Sequence, residues 1–232
     1  MFPPRHHESL EDRILFVDAE AIVLDKPAGL PVDAPRAGGN SIERRIHELK
    51  LGFKRPPVAM HRLDQDTSGC LLFARHASSR VVFQQAFESG TVEKTYLAVV
   101  AGEVGEDGVI DLPLGKVSSA EAGWKMRADP AGKSAITQWR RIAMAGGRSL
   151  VEFQPKTGRT HQIRAHAREG LGFGIVGDFV YGVPGGPMLL HAARLVVPRG
   201  EKAAIDVSAP LPESFGEWRE HVLPEVDVPG DA

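Results

Sequence analysis

Apolar residues along the chain fall mostly in short runs bounded by Gly, Pro, Asn and Asp, a pattern that predicts strands, while a few segments carry them at helical spacing. ILFVDAEAIVLDK places two such runs around an acidic turn and reads as a β-hairpin that then enters the Pro/Gly segment PAGLPV. Lys26 stands where the second strand ends, a position that is either solvated or able to brace a site. In SIERRIHELK, Ile42, Ile46 and Leu49 recur at helical spacing, and Asn40, three residues before Glu43, has the spacing of a capping box. PPVAM and CLLFA read as short buried strands. SSRVVFQQAFESG puts Val82, Phe83, Ala86 and Phe87 on one helical face and ends at Gly90, where a left-handed C-cap is expected. EKTYLAVVAGEV reads as a central strand.

The second half continues the alternation. Residues 105–132 are turn-rich and polar, with Trp124, Lys125 and Arg127 close together, and form either a protruding hairpin that grips a large ligand or a surface loop. SAITQWRRIAM and RSLVEFQPK are two strands joined by AGG, a hairpin signal. TGRTHQIRAHAREG predicts a helix capped by Thr160 and stopped by Gly170, with Ile163 and Ala167 inward and Arg164 and Arg168 on one side. LLHAARLVV and AAIDVSAP are the last strands, and PESFGEWREHV is a short terminal helix. Strands outnumber helices and occur as neighbouring pairs. The fold class is therefore α+β, a mixed, mainly antiparallel sheet with flanking helices, in one domain over residues 13–221 between tails at 1–12 and 222–232. There is no internal repeat.

Composition narrows the setting. Apolar residues make up 42% of the 232, enough for a sizeable core. Cys70 is the single cysteine, so an intramolecular disulfide and any zinc site with two cysteine ligands are excluded, and a reducing, cytoplasmic environment is expected. No apolar run approaches the ~20 residues that cross a bilayer, and MFPPRHHESLEDR lacks the apolar core of a signal peptide, so no membrane partner is expected. A net charge of −2 argues against a nonspecific nucleic-acid coat. Its distribution is uneven. Arg140, Arg141, Arg148, Lys156, Arg159, Arg164 and Arg168 face the single acid Glu152, whereas six acids accompany Arg219 between Glu213 and Asp231. The basic segment fits a surface turned toward a polyanion, or an ordinary solvated face.

HRLDQDTSG, residues 61–69, is the stretch with most chemistry, since it sets His61, Asp64, Asp66, Thr67 and Ser68 on one turn between two strands. A loop fixed at both ends can hold a carboxylate in place for catalysis, although the same residue types also make ordinary turns. The residues alone do not rank Asp64 above Asp66. Other signals are weaker. GLGFGIVG contains GxGxxG but follows a helix and opens none, so it lacks the context for dinucleotide binding. His161 and His166 are five apart, poor helical geometry for one metal even with His191 added, and no GxSxG elbow supports a Ser/His/Asp triad.

HRLDQDTSG, CLLFA, KTYLAVV, TGRTHQIRAH, VGDFVYG and LLHAARL, in this order and spacing from about Ile14 to about Phe215, resemble the RluA-like family of RNA pseudouridine synthases. The resemblance implies a long, bent, mainly antiparallel sheet with a central cleft, and isomerisation of a flipped-out uridine to pseudouridine without a cofactor or metal. It implies structured RNA, ribosomal (large subunit) and/or transfer, as the partner of a monomer. With only about a dozen residues before the first strand, the S4-type RNA-binding module of some members is expected to be absent. By the same resemblance Asp64 matches the catalytic aspartate, a carboxylate able to add covalently to sugar or base or to remove a ribose proton. Arg164 matches the arginine that pairs with it, a guanidinium suited to bidentate grip. Tyr96 matches the tyrosine that stacks on the target uracil. Arg62, Lys94, Arg159 and His161 are assigned to substrate binding, Arg62 as the residue that fills the vacated space. Asp66, Thr67 and Ser68 become turn-shaping residues, and the basic segment a phosphate cradle. Phe173 and Gly174 stand where the family has a His-Pro pair, a departure in local loop shape. Two other functions would use part of the same features: a non-catalytic RNA-binding protein, or a glycosidase or nucleosidase acting on a small substrate.

Overall fold

A strand covered on both faces should be apolar at every position, and two strands near the start of the chain have that composition. The computed structural model describes residues 9–119 and 123–222. In chain order the elements are β1 (Ile14–Val17), β2 (Ala21–Lys26), α1 (Ile42–Arg45), β3 (Val58–Ala59), β4 (Ser68–Ala74), α2 (Ala77–Glu88), β5 (Glu93–Val100), β6 (Asp107–Asp111), β7 (Leu114–Ser119), β8 (Gly123–Ala128), β9 (Ile136–Ala145), β10 (Arg148–Pro155), α3 (Gln162–Gly170), β11 (Leu190–Arg199) and β12 (Lys202–Ser208). Among the described residues a 10-stranded sheet runs β1-β2-β4-β11-β5-β10-β9-β6, with β12 added to β11 and β3 to β4, while β7 and β8 form a separate pair. β4 and β11 pair in parallel and the other strand pairs are antiparallel, the expected mixed, mainly antiparallel α+β sheet.

The continuous apolar runs are the doubly covered strands. One face of β2 and β4, with Val23, Cys70 and Leu72, packs against Phe83 and Ala86 of α2 and against Ile205 and Val207 of β12. The other face, with Ile22, Leu24, Leu71 and Phe73, packs against Ile42 and Leu49. The β9–β10 hairpin closes through Gly146 (φ 56) and Gly147 (φ 72), the positive angles that a two-residue turn of this kind demands. Residues 105–132 contain the β7–β8 hairpin, so the segment is not a plain surface loop.

Four local expectations are corrected. The cap of α1 is Ser41, whose hydroxyl accepts the Arg44 N–H, and not Asn40; after Arg45 the chain tightens into a 3-10 turn at Ile46–Leu49. Val82 is exposed, because α2 buries a narrower stripe of Ser79, Phe83 and Ala86. Thr160 does not cap α3; His161 holds that position in a left-handed conformation. The terminal segment Glu213–His221 is 3-10 rather than α, broken at Gly216. Of the two tails, residues 1–8 and 223–232 lie outside the described residues.

The turn before β4 is tied down from several directions. Lys26 is fully buried, and its ammonium donates to the carbonyls of Pro27 (2.8 Å), Leu30 (2.8 Å) and Gln65 (2.9 Å). Three acceptors match its three donors, while burial pushes its pKa down to about 7 against the pull of Asp66, Asp64 and Asp25. It is therefore a brace and not a solvated strand end. His61 accepts the Leu72 N–H at 3.1 Å through Nε2, and burial, with Lys94 nearby, lowers its pKa to about 4, so the ring is a neutral anchor. Ser68 meets Nδ1 of buried His191 at 2.8 Å, tying β4 to β11. Gly69 (φ 106) lies opposite Ala192, whose carbonyl occupies the place a Cβ would take.

Two stability outcomes follow from these ties. Lys26→Met leaves three carbonyls without a donor and is expected to cost about 3 kcal/mol, read as a lowered urea midpoint. Gly69→Ala combines a positive φ with a backbone collision, so a loss of about 3 kcal/mol or more is expected in the same assay. Unchanged midpoints would contradict both.

Candidate active site

A carboxylate at the lip of a core needs a cation to hold it, and the cation itself must be neutralised if it is buried. Asp64 sits in the turn, with its carbonyl accepting the Thr67 N–H at 3.1 Å and its side chain 28% exposed. Arg164 reaches it from the first turn of α3, with Nη1 donating to Asp64 Oδ2 at 2.9 Å. The bidentate partner of Arg164 is a different residue. Nε and Nη2 donate to Oδ2 and Oδ1 of Asp178 at 2.7 and 2.9 Å, so Asp64 receives one bond from the guanidinium where two were expected. Asp178 is almost fully buried, and its Oδ1 also accepts the N–H groups of Val180 (2.8 Å) and Tyr181 (3.1 Å).

Burial works to raise the Asp178 pKa, yet the hydrogen bonds and charge of Arg164, with the two backbone N–H groups, hold the carboxyl below its ordinary range. Arg164 is shifted upward for the reciprocal reason: burial opposes its charge, and Asp178, then Asp64, outweigh that. The triplet carries two carboxylates on one guanidinium. Asp178 fixes the guanidinium plane from the protein side, and Nη1 is left pointing at the exposed side, where Asp64 is. Asp64 Oδ1 has no hydrogen-bond partner among the described residues.

Three rings surround this pair. Tyr96, on β5 between Phe153 of β10 and Ala192 of β11, is half-buried. Its phenol is pushed above the ordinary value by burial and then by the charge of Asp64, whose field reaches it. His161 holds its positive φ of 51 with Nδ1 3.0 Å from the Tyr181 hydroxyl and Nε2 3.9 Å from Asp64 Oδ2. Its pKa is lowered, by burial first and by Arg164, against Asp64 and Asp178. A neutral ring that accepts the Tyr181 proton at Nδ1 carries its own at Nε2, facing Asp64. Tyr181 in turn accepts the Met126 N–H at 2.8 Å, and its ring lies 5.2 Å from the Arg164 guanidinium carbon. Trp124 stacks on His161 at 4.9 Å between centroids and 19° between planes.

Asp64, Arg164, Tyr96 and His161 thus converge from the turn, β5 and α3. The remaining expected residues lie further out. Arg62 is exposed and pairs with Asp33 at 3.0 Å. Arg159 donates to the Ser134 carbonyl at 2.8 Å. Lys94 shares a face of β5 with Tyr96, two residues along, and its pKa is lowered by burial and by Lys156. Asp66 is exposed, acting on Lys26 only through its charge, which ranks it below Asp64. The basic segment does not form one surface: Arg164 is buried in the triplet, Arg140 pairs with Glu152 at 3.3 Å, and Arg141 donates to the Val104 carbonyl. His166 and His191 have separate partners, Thr137 with Leu112 and Ser68 with Ala209, and among the described residues no group of three His, Cys, Asp or Glu is arranged to hold a metal. No helix among them is long and apolar enough to cross a membrane.

Asp178, Tyr181 and Trp124 had no role assigned by sequence. The available signal was VGDFVYG, where a lone acid inside an apolar run must either face water or find a buried cation.

Residues 20–169 match the RNA pseudouridylate synthase family. An uncharacterized RNA pseudouridine synthase of Zymomonas mobilis is 50% identical over 211 residues, covering 89% of this chain and 96% of that protein. Ribosomal large subunit pseudouridine synthase D of Borreliella burgdorferi is 32% identical over 217 residues, covering 87% of this chain and 66% of that protein. The solved structure of human RNA pseudouridylate synthase domain containing 4 superposes with a TM-score of 0.74 at 26% identity and 92% coverage of each chain. By the extent of these matches this chain belongs to the RNA pseudouridine synthases, isomerases that act on RNA.

Proposed function

We propose that this protein isomerises a uridine of large-subunit ribosomal RNA to pseudouridine, with Asp64 as the reacting carboxylate. The reaction breaks the bond from N1 to the ribose anomeric carbon and makes one from C5 to the same carbon. C5 gives up a proton and N1 gains one, so no oxidant or energy source enters. The observation that carries the reading is the Asp178–Arg164–Asp64 triplet. It tethers Asp64 through Oδ2 while Oδ1 keeps its lone pairs for the nucleotide. Arg164 keeps Asp64 ionised and oriented, as a nucleophile or base requires. Tyr96, half-buried and within the field of Asp64, offers an aromatic face on which a flipped base can rest as it turns. Neutral His161 presents an N–H toward the same space. Arg62, Lys94 and Arg159 bind the RNA further out. Support for the ribosomal target comes from relatives named as large-subunit synthases, of which several are 32–34% identical to this chain.

Mapping pseudouridine in RNA from cells with and without the gene tests the target; sites lost only from transfer RNA would reassign it. Asp64→Asn keeps the volume and removes the carboxylate, so turnover on that RNA is expected to fall about 10,000-fold or more. Surviving turnover in this variant would remove Asp64 from the chemistry. Arg164→Lys is expected to cost about 100-fold in kcat, because an ammonium keeps the charge yet cannot serve both carboxylates with a planar fork. A variant with wild-type kcat and an intact melting transition would overturn the tethering role.

A further inference from the structure

Adjacent residues of a strand face opposite ways, and β8 uses both faces. Trp124 and Met126 turn toward the candidate active site, Trp124 on His161 and Met126 packed with Leu114, Ala165 and Tyr181. Lys125 and Arg127 turn the other way, into a recess of about 400 Å3 that they line with Arg168, Glu169, Val180 and Tyr181. Arg168 lies one helical turn beyond Arg164, so α3 serves the two sites with successive turns. The recess holds three cations against one carboxylate, Glu169, which is 3.5 Å from Arg127. Tyr181 is a wall common to both sites.

Val180, one of the lining residues, is 43% exposed, and Phe179, next to it in the chain, is 73% exposed; the N–H groups of Val180 and Tyr181 are bound to buried Asp178. A large aromatic held in water on a fixed turn is placed to stack on something with a flat face. Cations and an exposed ring together match single-stranded nucleic acid, whose phosphates need charge and whose bases need stacking. A protein cofactor or an acidic peptide would use the charge and leave the ring without a partner.

We propose that this recess, with Phe179 at its rim, binds the unpaired strand flanking the flipped uridine, a phosphate between Lys125, Arg127 and Arg168 and a neighbouring base on Phe179. The inference rests on the reading of Asp64 as acting on a uridine in RNA. It gives that reading a second contact, and β8 is the partition between the nucleotide that reacts and the one that is gripped. A phosphate entering the recess takes the place of Glu169 on Arg127.

The test is filter binding in the Asp64→Asn background, where no turnover intervenes, with a labelled single-stranded oligouridine and a labelled blunt RNA duplex as probes. Phe179→Ala is expected to weaken oligouridine binding about five-fold or more, as loss of one stacked base does, and Phe179→Tyr to restore it. The Lys125→Ala/Arg127→Ala double variant is expected to weaken it further and to make the slope of log affinity against log salt shallower by about 0.7, the share of one phosphate contact on a single strand. The substituted side chains are on the surface, so the melting transition is expected to stay in place. Affinities within two-fold of the parent for both variants overturn the recess, as does equal loss on the duplex. Pseudouridine formation by the unsubstituted protein is measured separately, on RNA from cells lacking the gene. Its absence would overturn the reading of Asp64, while the affinities still decide the recess.

Discussion

Arg164 carries a charge that water scarcely reaches, and the candidate site is arranged around the need to balance it. A buried guanidinium is stable only when its donors and its charge are both answered. Asp178 answers most of both from the interior, with two bonds and a carboxylate that cannot turn away because Val180 and Tyr181 hold it by their backbone. The nitrogen that Asp178 leaves unbound, Nη1, has a fixed direction, and Asp64 stands in it. The position of the exposed acid is thus inherited from an ion pair beneath it. A guanidinium bound twice to Asp64 would have spent its fork on the exposed acid and left its own orientation unsecured from the interior.

The same logic of support from below runs through the turn itself. Lys26 gathers three carbonyls from two segments, His61 accepts a strand N–H, and Ser68 meets His191 on the neighbouring parallel strand. Of the polar residues in HRLDQDTSG, most serve geometry. Asp64 stands apart because it alone of the two aspartates in the turn is held by Arg164.

Much of this was legible in the sequence where short-range physics decides. Hairpin β9–β10 follows from two glycines between branched runs, and the covered strands β2 and β4 from apolar runs with no polar alternation. Asp64, Arg164 and Tyr96 could be named from motif resemblance, and the geometry gathers them. What stayed hidden depends on partners far along the chain or on backbone atoms, which have no letter in a sequence. Lys26 was ambiguous because its acceptors are carbonyls. The cap of α3 was misread because His161 adopts a left-handed conformation that its residue type gives little reason to expect. Asp178 was given no role, since its residue type alone does not say that the guanidinium it needs lies 14 positions earlier.

The pairing of β4 with β11 joins residues 123 positions apart at Ser68 and His191. Translation delivers those residues in order, so the turn that holds Asp64 is made early and waits through most of synthesis for the strand that fixes it. Until β11 emerges the nascent chain has Asp64 and Arg164 but lacks the parallel partner of β4, so the sheet that carries the turn closes only late in synthesis.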